Sequence, residues 1–345
     1  MAQIPLYERQ FRIPESFIDV CRHAGLRCIA SQKNKRKKLR RSTRITENIT
    51  NTLPSATTNP ARSCLSVHKL TPLIAAEVRG IDLSAAIDDE TFAAIERAWH
   101  DHGVLLFRGQ NLDDMQQVTF AERFGPLAHT LKHFEGTAHP AIMYITNEKK
   151  DGKYIGALPD GEMYFHSDMC YLEQPCNAAL LHALAIPPEG GETVFASMYA
   201  AYDSLPADLK SQLEGKLAMN SYEPGYGASN VQARINTRAS EVTRSFAHPV
   251  FRTHPDTGRR SIYVNRLMTE YIVGMPRADS DALLKRVFDH QEQAQFQYEH
   301  RWQVGDVLIW DNRCTLHARR DFNDQHLRKL RRVTVKGDRP FLLAI

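Results

Sequence analysis

Between residues 142 and 335 the chain offers short apolar segments at close spacing, each bounded by turn-forming residues, and this pattern restricts its fold more than any other feature. The segments are Ile142–Ile145, Met163–His166, Ala178–Ile186, Thr193–Phe195, Ser261–Val264, Val307–Trp310 and Leu330–Val335, with Gly/Pro/Asp-containing turns at Lys149–Gly161, Pro187–Gly191 and His254–Arg259. Few of them alternate with helical patterns, which argues against a doubly wound sheet or an α/β barrel. Many short strands separated by turns predict a mainly β fold, a barrel or jelly roll with helices packed outside. Asp88 or Asp89 can cap a helix carrying Phe92, Ile95 and Trp99 on one face and ending by Gly103. A second helix is predicted from Asp113 to Phe124. Strands are expected at Ser66–Leu70 and Val104–Phe107, and a helix-rich insert including Asp281–Gln295 before the last strands.

The net charge of +4 invites a nucleic-acid or membrane reading, but its placement argues otherwise. Residues 1–62 hold thirteen Lys/Arg against four acids, a net +9, which leaves the rest of the chain at −5. The run Lys33–Arg41 and its Ser/Thr/Asn-rich surroundings bury little and repel themselves, so residues 1–63 are expected to be a basic, disordered extension. A nucleic-acid role would rest on this arm alone. No apolar run reaches the ~18–20 residues of a membrane span, and no signal-peptide core is visible among the first residues. Six cysteines without a C-x-x-C pair suit reduced thiols and a cytoplasmic location.

Two H-x-D triplets stand among the fifteen histidines. His254-Pro255-Asp256 continues into Thr257-Gly258, a turn signature. His166-Ser167-Asp168 instead closes the apolar stretch Met163-Tyr164-Phe165. Alternate residues of a strand share a face, so His166 and Asp168 can offer an imidazole and a carboxylate to one metal. His317, just after the apolar strand that ends Asp311-Asn312-Arg313, is the candidate third ligand. Two His and one carboxylate form the facial triad of non-haem Fe(II) oxygenases; three unrelated roles remain the alternative at this point. Arg328 and Arg332 follow His317 by 11 and 15 residues. An arginine fork beside iron suggests a carboxylate co-substrate, and two suggest a second anion. The competing reading is a solvated basic cluster, since Arg319, Arg320, Lys329 and Arg331 crowd the same stretch. His182, within an apolar run, is expected to be an ordinary core histidine.

The motifs Phe165-His166-Ser167-Asp168, Pro187–Thr193, Trp310-Asp311-Asn312-Arg313 through His317, Arg328, Arg332 and Gly337–Phe341 occur in an order and spacing that resemble the taurine dioxygenase/TfdA-type Fe(II)- and 2-oxoglutarate-dependent dioxygenases. The resemblance spans about Ser66 to Ile345 and excludes the arm. It implies a double-stranded β-helix (jelly-roll) core in a single catalytic domain, 64–345. It also implies Fe(II) held by His166, Asp168 and His317, and 2-oxoglutarate held by Thr193 and Arg328. Arg332 would then receive a substrate anion. The implied reaction consumes O2, releases succinate and CO2 and hydroxylates the substrate, with C–heteroatom cleavage where the new hydroxyl lies beside a heteroatom. His129 and His133 fall where a taurine enzyme supplies a histidine and a tyrosine, and ordinary loop histidines are the other reading. Glu162 stands where taurine enzymes place an asparagine. A carboxylate there disfavours taurine itself. The expected substrate is a small organic anion, a sulfonate or an aryloxyalkanoate, with no nucleic-acid or membrane partner and with a homodimer or homotetramer implied by relatives. A non-oxidative jelly-roll metal protein, isomerase or binder, is the alternative class, and Thr193 and Arg328 argue against it. Asn147–Gly161 resembles a lid over the site, or else is a surface loop.

Overall fold

The computed structural model describes residues 65–129, 137–156, 164–221 and 245–343. The expectations for the basic arm, Glu162 and His133 therefore lie outside the described residues. In chain order the elements are β1 (Ser66–Lys69), β2 (Ala76–Arg79), α1 (Asp89–His102), β3 (Val104–Phe107), α2 (Asp114–Glu122), β4 (Ile142–Thr146) and the short pair β5 (Lys149–Lys150) and β6 (Lys153–Tyr154). Then come β7 (Cys176–Ala185), β8 (Thr193–Ser197), α3 (Met198–Asp203), α4 (Ala207–Leu213) and β9 (Leu217–Ser221). The remainder is β10 (Ser245–Pro249), β11 (Phe251–Thr253), β12 (Arg260–Ile262), β13 (Thr269–Ile272), α5 (Arg277–Gln291), β14 (Gln297–His300), β15 (Val307–Asp311), β16 (Thr315–Arg319) and β17 (Lys329–Lys336). Strands and helices are thus mixed, with strands prevailing.

Local chemistry explains the first helix. The Asp88 carboxylate accepts the Thr91 N–H at 2.7 Å, and Gly103 ends the helix at φ +69, returning its N–H to the Trp99 carbonyl. A left-handed C-terminal residue favours glycine, and here a Cβ would also meet Thr315 Cγ2 at 3.0 Å. Phe92, Ile95, Ala98 and Trp99 form the buried stripe. In α2, Asp113 and Gln116 exchange hydrogen bonds in a capping box.

A seven-stranded sheet in the order β1-β2-β3-β15-β7-β17-β4 supports the molecule. β2 and β3 pair in parallel across α1, and the other neighbours are antiparallel. Both faces are buried, and the period of two sorts the side chains. Leu105, Leu180, Ile309, Val333 and Val335 pack with α1 and α2, whereas Leu106, Leu181, Leu308, Trp310 and Leu330 face Phe195 of β8. A second, three-stranded sheet, β14-β8-β16, lies on that inner side. Its other face, through Ala196 and Leu316, packs with α3, α4 and α5.

Two expectations need correction. Met163 lies outside the described residues, and Tyr164–His166 is not a regular strand: His166 makes an isolated antiparallel bridge to His317, and the chain then turns through Met169 at φ +57. Tyr164 and Phe165 are half-buried and, among the described residues, do not join a sheet. His317 does not trail the Val307–Asp311 strand; it sits in the middle of its own strand, β16, in the other sheet. The helix-rich insert expected to include Asp281–Gln295 is present as α5, Arg277–Gln291, followed by a 3-10 turn Ala294–Phe296.

Candidate active site

His166 and His317 bond each other's backbone reciprocally, at 3.0 and 2.9 Å, so their rings lie side by side with centroids 4.2 Å apart. Asp168, two residues on, brings its carboxylate to the same place: Oδ1 is 3.9 Å from His166 Nε2 and Oδ2 is 3.8 Å from His317 Nε2. All three residues are buried. Among the described residues they form the group of His, Cys, Asp and Glu side chains able to hold a metal, with ligand atoms within 4.8 Å of one another. His166 Nδ1 lies 2.9 Å from the Tyr164 carbonyl. Because a carbonyl only accepts, Nδ1 carries the proton and Nε2 presents its lone pair inward, as metal-binding histidines require. Burial, helped by His166 and Arg332 and opposed by Asp168, pushes the His317 pKa well down, so its imidazole is neutral. Burial alone would raise Asp168, but Arg332 and the two imidazoles outweigh it and hold the carboxylate far below its usual range. A charged oxygen donor and two neutral nitrogens without thiolate suit Fe(II).

The turn carrying Asp168 is secured by Asn312, at the end of β15. Asn312 Oδ1 accepts the Asp168 backbone N–H at 3.3 Å and the Trp310 indole N–H at 3.0 Å, and its carbonyl accepts the Ser167 hydroxyl at 2.8 Å. Next to it, Asp311 accepts from His254 Nε2 (2.9 Å) and from the Arg313 N, Nε and Nη2 (2.8–2.9 Å), and Arg313 Nη1 donates to Asp256. His254-Pro255-Asp256 is thus a turn, as expected, but its His and Asp also complete a buried cluster behind the site. Despite burial, Arg313 and His254 hold Asp311 far below the ordinary carboxylate range, and burial pushes His254 down in spite of Asp311. Both shifts act in one direction: the unfolded chain takes up protons more readily, so stability falls on acidification. His254's contribution is complete above about pH 6.5 and Asp311's above about pH 4; each is lost as pH drops from there towards the depressed folded value. Asp311→Asn removes the buried one of Arg313's two carboxylate partners, leaving the more exposed Asp256, and should cost about 3 kcal/mol, read as a lower denaturant midpoint with a flatter acid limb.

Thr193 and Arg328 lie where β8 begins. Trp302 donates its indole N–H to Thr193 Oγ1 at 3.0 Å, so the hydroxyl proton is turned towards another acceptor. Arg328 is 4% exposed, and its Nε and Nη2 donate to the Gly191 carbonyl at 3.3 and 3.1 Å. It makes no ion pair among the described residues. Gly191 permits this approach: its φ is +74, and a Cβ would stand 3.0 Å from Arg328 Nε. Arg332 shares the inner face of β17 with Leu330, and its Nη2 pairs with Asp168 Oδ2 at 2.8 Å. The solvated-cluster alternative fails for most of the stretch, because Arg319, Arg328 and Arg331 are buried. Arg331 points to the helix side, bonding Asp114, Gln117, the Leu112 carbonyl and His182 Nδ1. His182 is accordingly a satisfied core histidine. His129 is exposed, with its ring edge-on to His139 at 6.3 Å. Lys149–Tyr154 forms the small hairpin β5–β6, and residues 157–163 lie outside the described ones. Sequence reasoning assigned no role to Asn312 or Trp302. The polar end of the β15 strand was a signal for Asn312, and nothing in the spacing pointed to Trp302.

No described helix is long and apolar enough to cross a membrane. Residues 66–334 match the family model described as taurine catabolism dioxygenase TauD, TfdA family. Over 287 residues the chain is 35% identical to the alpha-ketoglutarate-dependent 2,4-dichlorophenoxyacetate dioxygenase of Cupriavidus pinatubonensis, covering 79% of this chain and 97% of that one. It is 36% identical over 290 residues to the alkylsulfatase of Acinetobacter baylyi, covering 81% and 87%. The crystal structure of AAD-2 in complex with Mn(II) and N-oxalylglycine aligns with a TM-score of 0.70 at 28% identity, covering 81% and 99%. Likeness that extends through nearly the whole of these proteins, and includes the strands that assemble the His-Asp-His trio, makes the chain a member of the TauD/TfdA family of Fe(II)- and 2-oxoglutarate-dependent dioxygenases.

Proposed function

We propose that this enzyme hydroxylates a small organic anion, a sulfonate, sulfate ester or aryloxyalkanoate, at the carbon next to its heteroatom, and that the product then breaks at the C–heteroatom bond. The stoichiometry is substrate C–H, 2-oxoglutarate and O2 in, and C–OH, succinate and CO2 out. His166, Asp168 and His317 would hold Fe(II), which supplies the oxygen activation when bound. The chain's own contribution is placement. Thr193 and Arg328 bind the distal carboxylate of 2-oxoglutarate, the first through its free proton and the second through its charge. Arg332 neutralises Asp168 Oδ2 and is assigned to the substrate anion from the family resemblance. His129 and Glu162 are assigned to the substrate pocket from the family resemblance. The seven-stranded sheet and the β14-β8-β16 sheet are taken as the two sheets of a double-stranded β-helix, in a catalytic domain that begins near residue 64.

One observation carries the co-substrate assignment: Arg328 is a buried cation whose recorded hydrogen bonds go to a carbonyl and not to a carboxylate. A buried charge is ordinarily paired, so the site is built for an incoming anion. The 2,4-dichlorophenoxyacetate dioxygenase and the alkylsulfatase named above support the anion class, and both names denote acids whose ether or ester oxygen adjoins a C–H bond. The test is a panel of such acids beside neutral and cationic analogues, scored for O2 uptake and succinate with Fe(II) and 2-oxoglutarate. Stimulation by the acids is the expected result. Stimulation only by neutral or cationic compounds rejects the substrate class.

A further inference from the structure

Residues 323–327 are all exposed, and Arg328, the next residue, is buried. Such a loop takes no hold from core packing, so hydrogen bonds decide where it delivers its arginine. At its start the Gly191 N–H donates to the Asp321 carbonyl at 3.0 Å. At its end the fastening comes from a side chain 181 residues away, Asn147, which directly follows β4. Asn147 Oδ1 accepts the Arg328 backbone N–H at 2.9 Å, and Nδ2 donates to the carbonyls of Asp324 and His326, both at 2.9 Å. The orientation of the amide is forced, because a carbonyl only accepts and a backbone N–H only donates. One side-chain amide thus ties three main-chain groups of a single loop. The Asn147 backbone N–H also donates to the Arg328 carbonyl at 3.4 Å, continuing the ladder that sets Lys329 against Thr146. From this anchored backbone the Arg328 guanidinium reaches the Gly191 carbonyl. A neighbouring link, Lys329 Nζ to Glu148 Oε2 at 2.7 Å, joins the same two segments, but both side chains are partly exposed and such a pair contributes little.

We infer that Asn147 is a positioning residue for 2-oxoglutarate: by fixing the backbone of residues 324–328 it holds the Arg328 guanidinium where the distal carboxylate arrives. This rests on the co-substrate assignment made above, and it gives a role to the first residue of the stretch 147–161. The Asn147 amide is spent on main-chain groups, so it acts through Arg328. A free arginine side chain has many rotamers, and a receptor ordered in advance spares the ligand the cost of ordering it. Loss of the amide leaves the arginine in the chain but releases its backbone. The effect should therefore fall on recognition of the distal carboxylate and spare the His166-Asp168-His317 trio.

The experiment compares 2-oxoglutarate with 2-oxobutyrate, which keeps the keto-acid end and lacks the distal carboxylate. Wild type, Asn147→Ala, Asn147→Asp, Glu148→Gln and Arg328→Ala, each checked for folding by circular dichroism, are loaded with Mn(II) and titrated with both compounds by calorimetry. The preference for 2-oxoglutarate should fall about tenfold in Asn147→Ala, the scale of the lost hydrogen bonds and of one side chain to be ordered. The same fall is expected in Asn147→Asp, which keeps the size and the acceptor but has no N–H to give. Affinity for 2-oxobutyrate should hold in both. Glu148→Gln, which cuts only the neighbouring ion pair, should keep the preference. A preference unchanged in either Asn147 variant overturns the inference. So does an equal loss for both compounds, which marks a structural role, or the same fall in Glu148→Gln, which marks docking of the two segments as a whole. Arg328→Ala separates the two levels. If it collapses the preference while the Asn147 variants do not, only Asn147 is rejected. If it too leaves the preference intact, the co-substrate assignment falls.

Discussion

His317→Ala is expected to give a folded protein that neither consumes O2 nor forms succinate at any 2-oxoglutarate concentration. His317 supplies one of three ligand atoms, and removing it should weaken metal binding by more than the ~10–100-fold that loss of an outer-shell partner costs. The substitution is the cleanest of the three. The His166–His317 bridge is made by backbone atoms, so alanine keeps it. Asp168→Ala would instead deprive Arg332 of its carboxylate and mix a folding cost of about 3–5 kcal/mol with the loss of a ligand. Anaerobic Fe(II) titration with circular dichroism on the same sample separates binding from folding. Turnover that survives in His317→Ala would reject the metal assignment.

Arg328→Ala should raise the KM for 2-oxoglutarate by roughly two to three orders of magnitude, the usual penalty for truncating one side of a buried charged hydrogen bond. Its second signature is thermal. Ligand that binds only the native state raises the unfolding midpoint, so wild type with Mn(II) should shift upwards on adding 2-oxoglutarate and Arg328→Ala should not. Without 2-oxoglutarate the variant should lose little stability, because the cavity it leaves is offset by relief of the repulsion from Arg319. An equal ligand-induced shift in both proteins would show that Arg328 does not receive the co-substrate.

Much of this site is legible in the chain because the residue types and their close spacing, His166 with Asp168 and Arg328 with Arg332, suffice to suggest iron and an anion. Strand periodicity is not what unites them, since Asp168 lies in a turn and a register shift at Lys329/Leu330 separates the two arginines. The first helix is legible for a similar reason, since Asp88, the Phe92/Ile95/Trp99 stripe and Gly103 agree on its start, face and end. What escapes is whatever depends on pairing between distant segments. Nothing near residue 166 says that it finds a partner in β16 and stops there, and nothing near residue 193 says that Trp302, far along the chain, will bond its hydroxyl. The arginine-rich stretch 319–332 illustrates the same limit. As composition it resembles a wet surface. Only the sheets on either side show that Arg331 serves the helices and Arg332 the interior.

That alternation along β17 has an evolutionary consequence. Arg331 anchors the strand to α2 through Asp114, Gln117 and the Leu112 carbonyl, which locks the frame in which its neighbours are displayed. Inserting or deleting one residue within β17 would exchange the anchoring arginine with the one beside the iron ligands and disable both. Turns that carry none of the site or its buried supports, unlike those of Asp168, Gly191 and His254, can change length at little cost. Diversification of a catalyst built this way is expected to run through length changes in its connecting loops, with the strand that bears the cations remaining invariant in length.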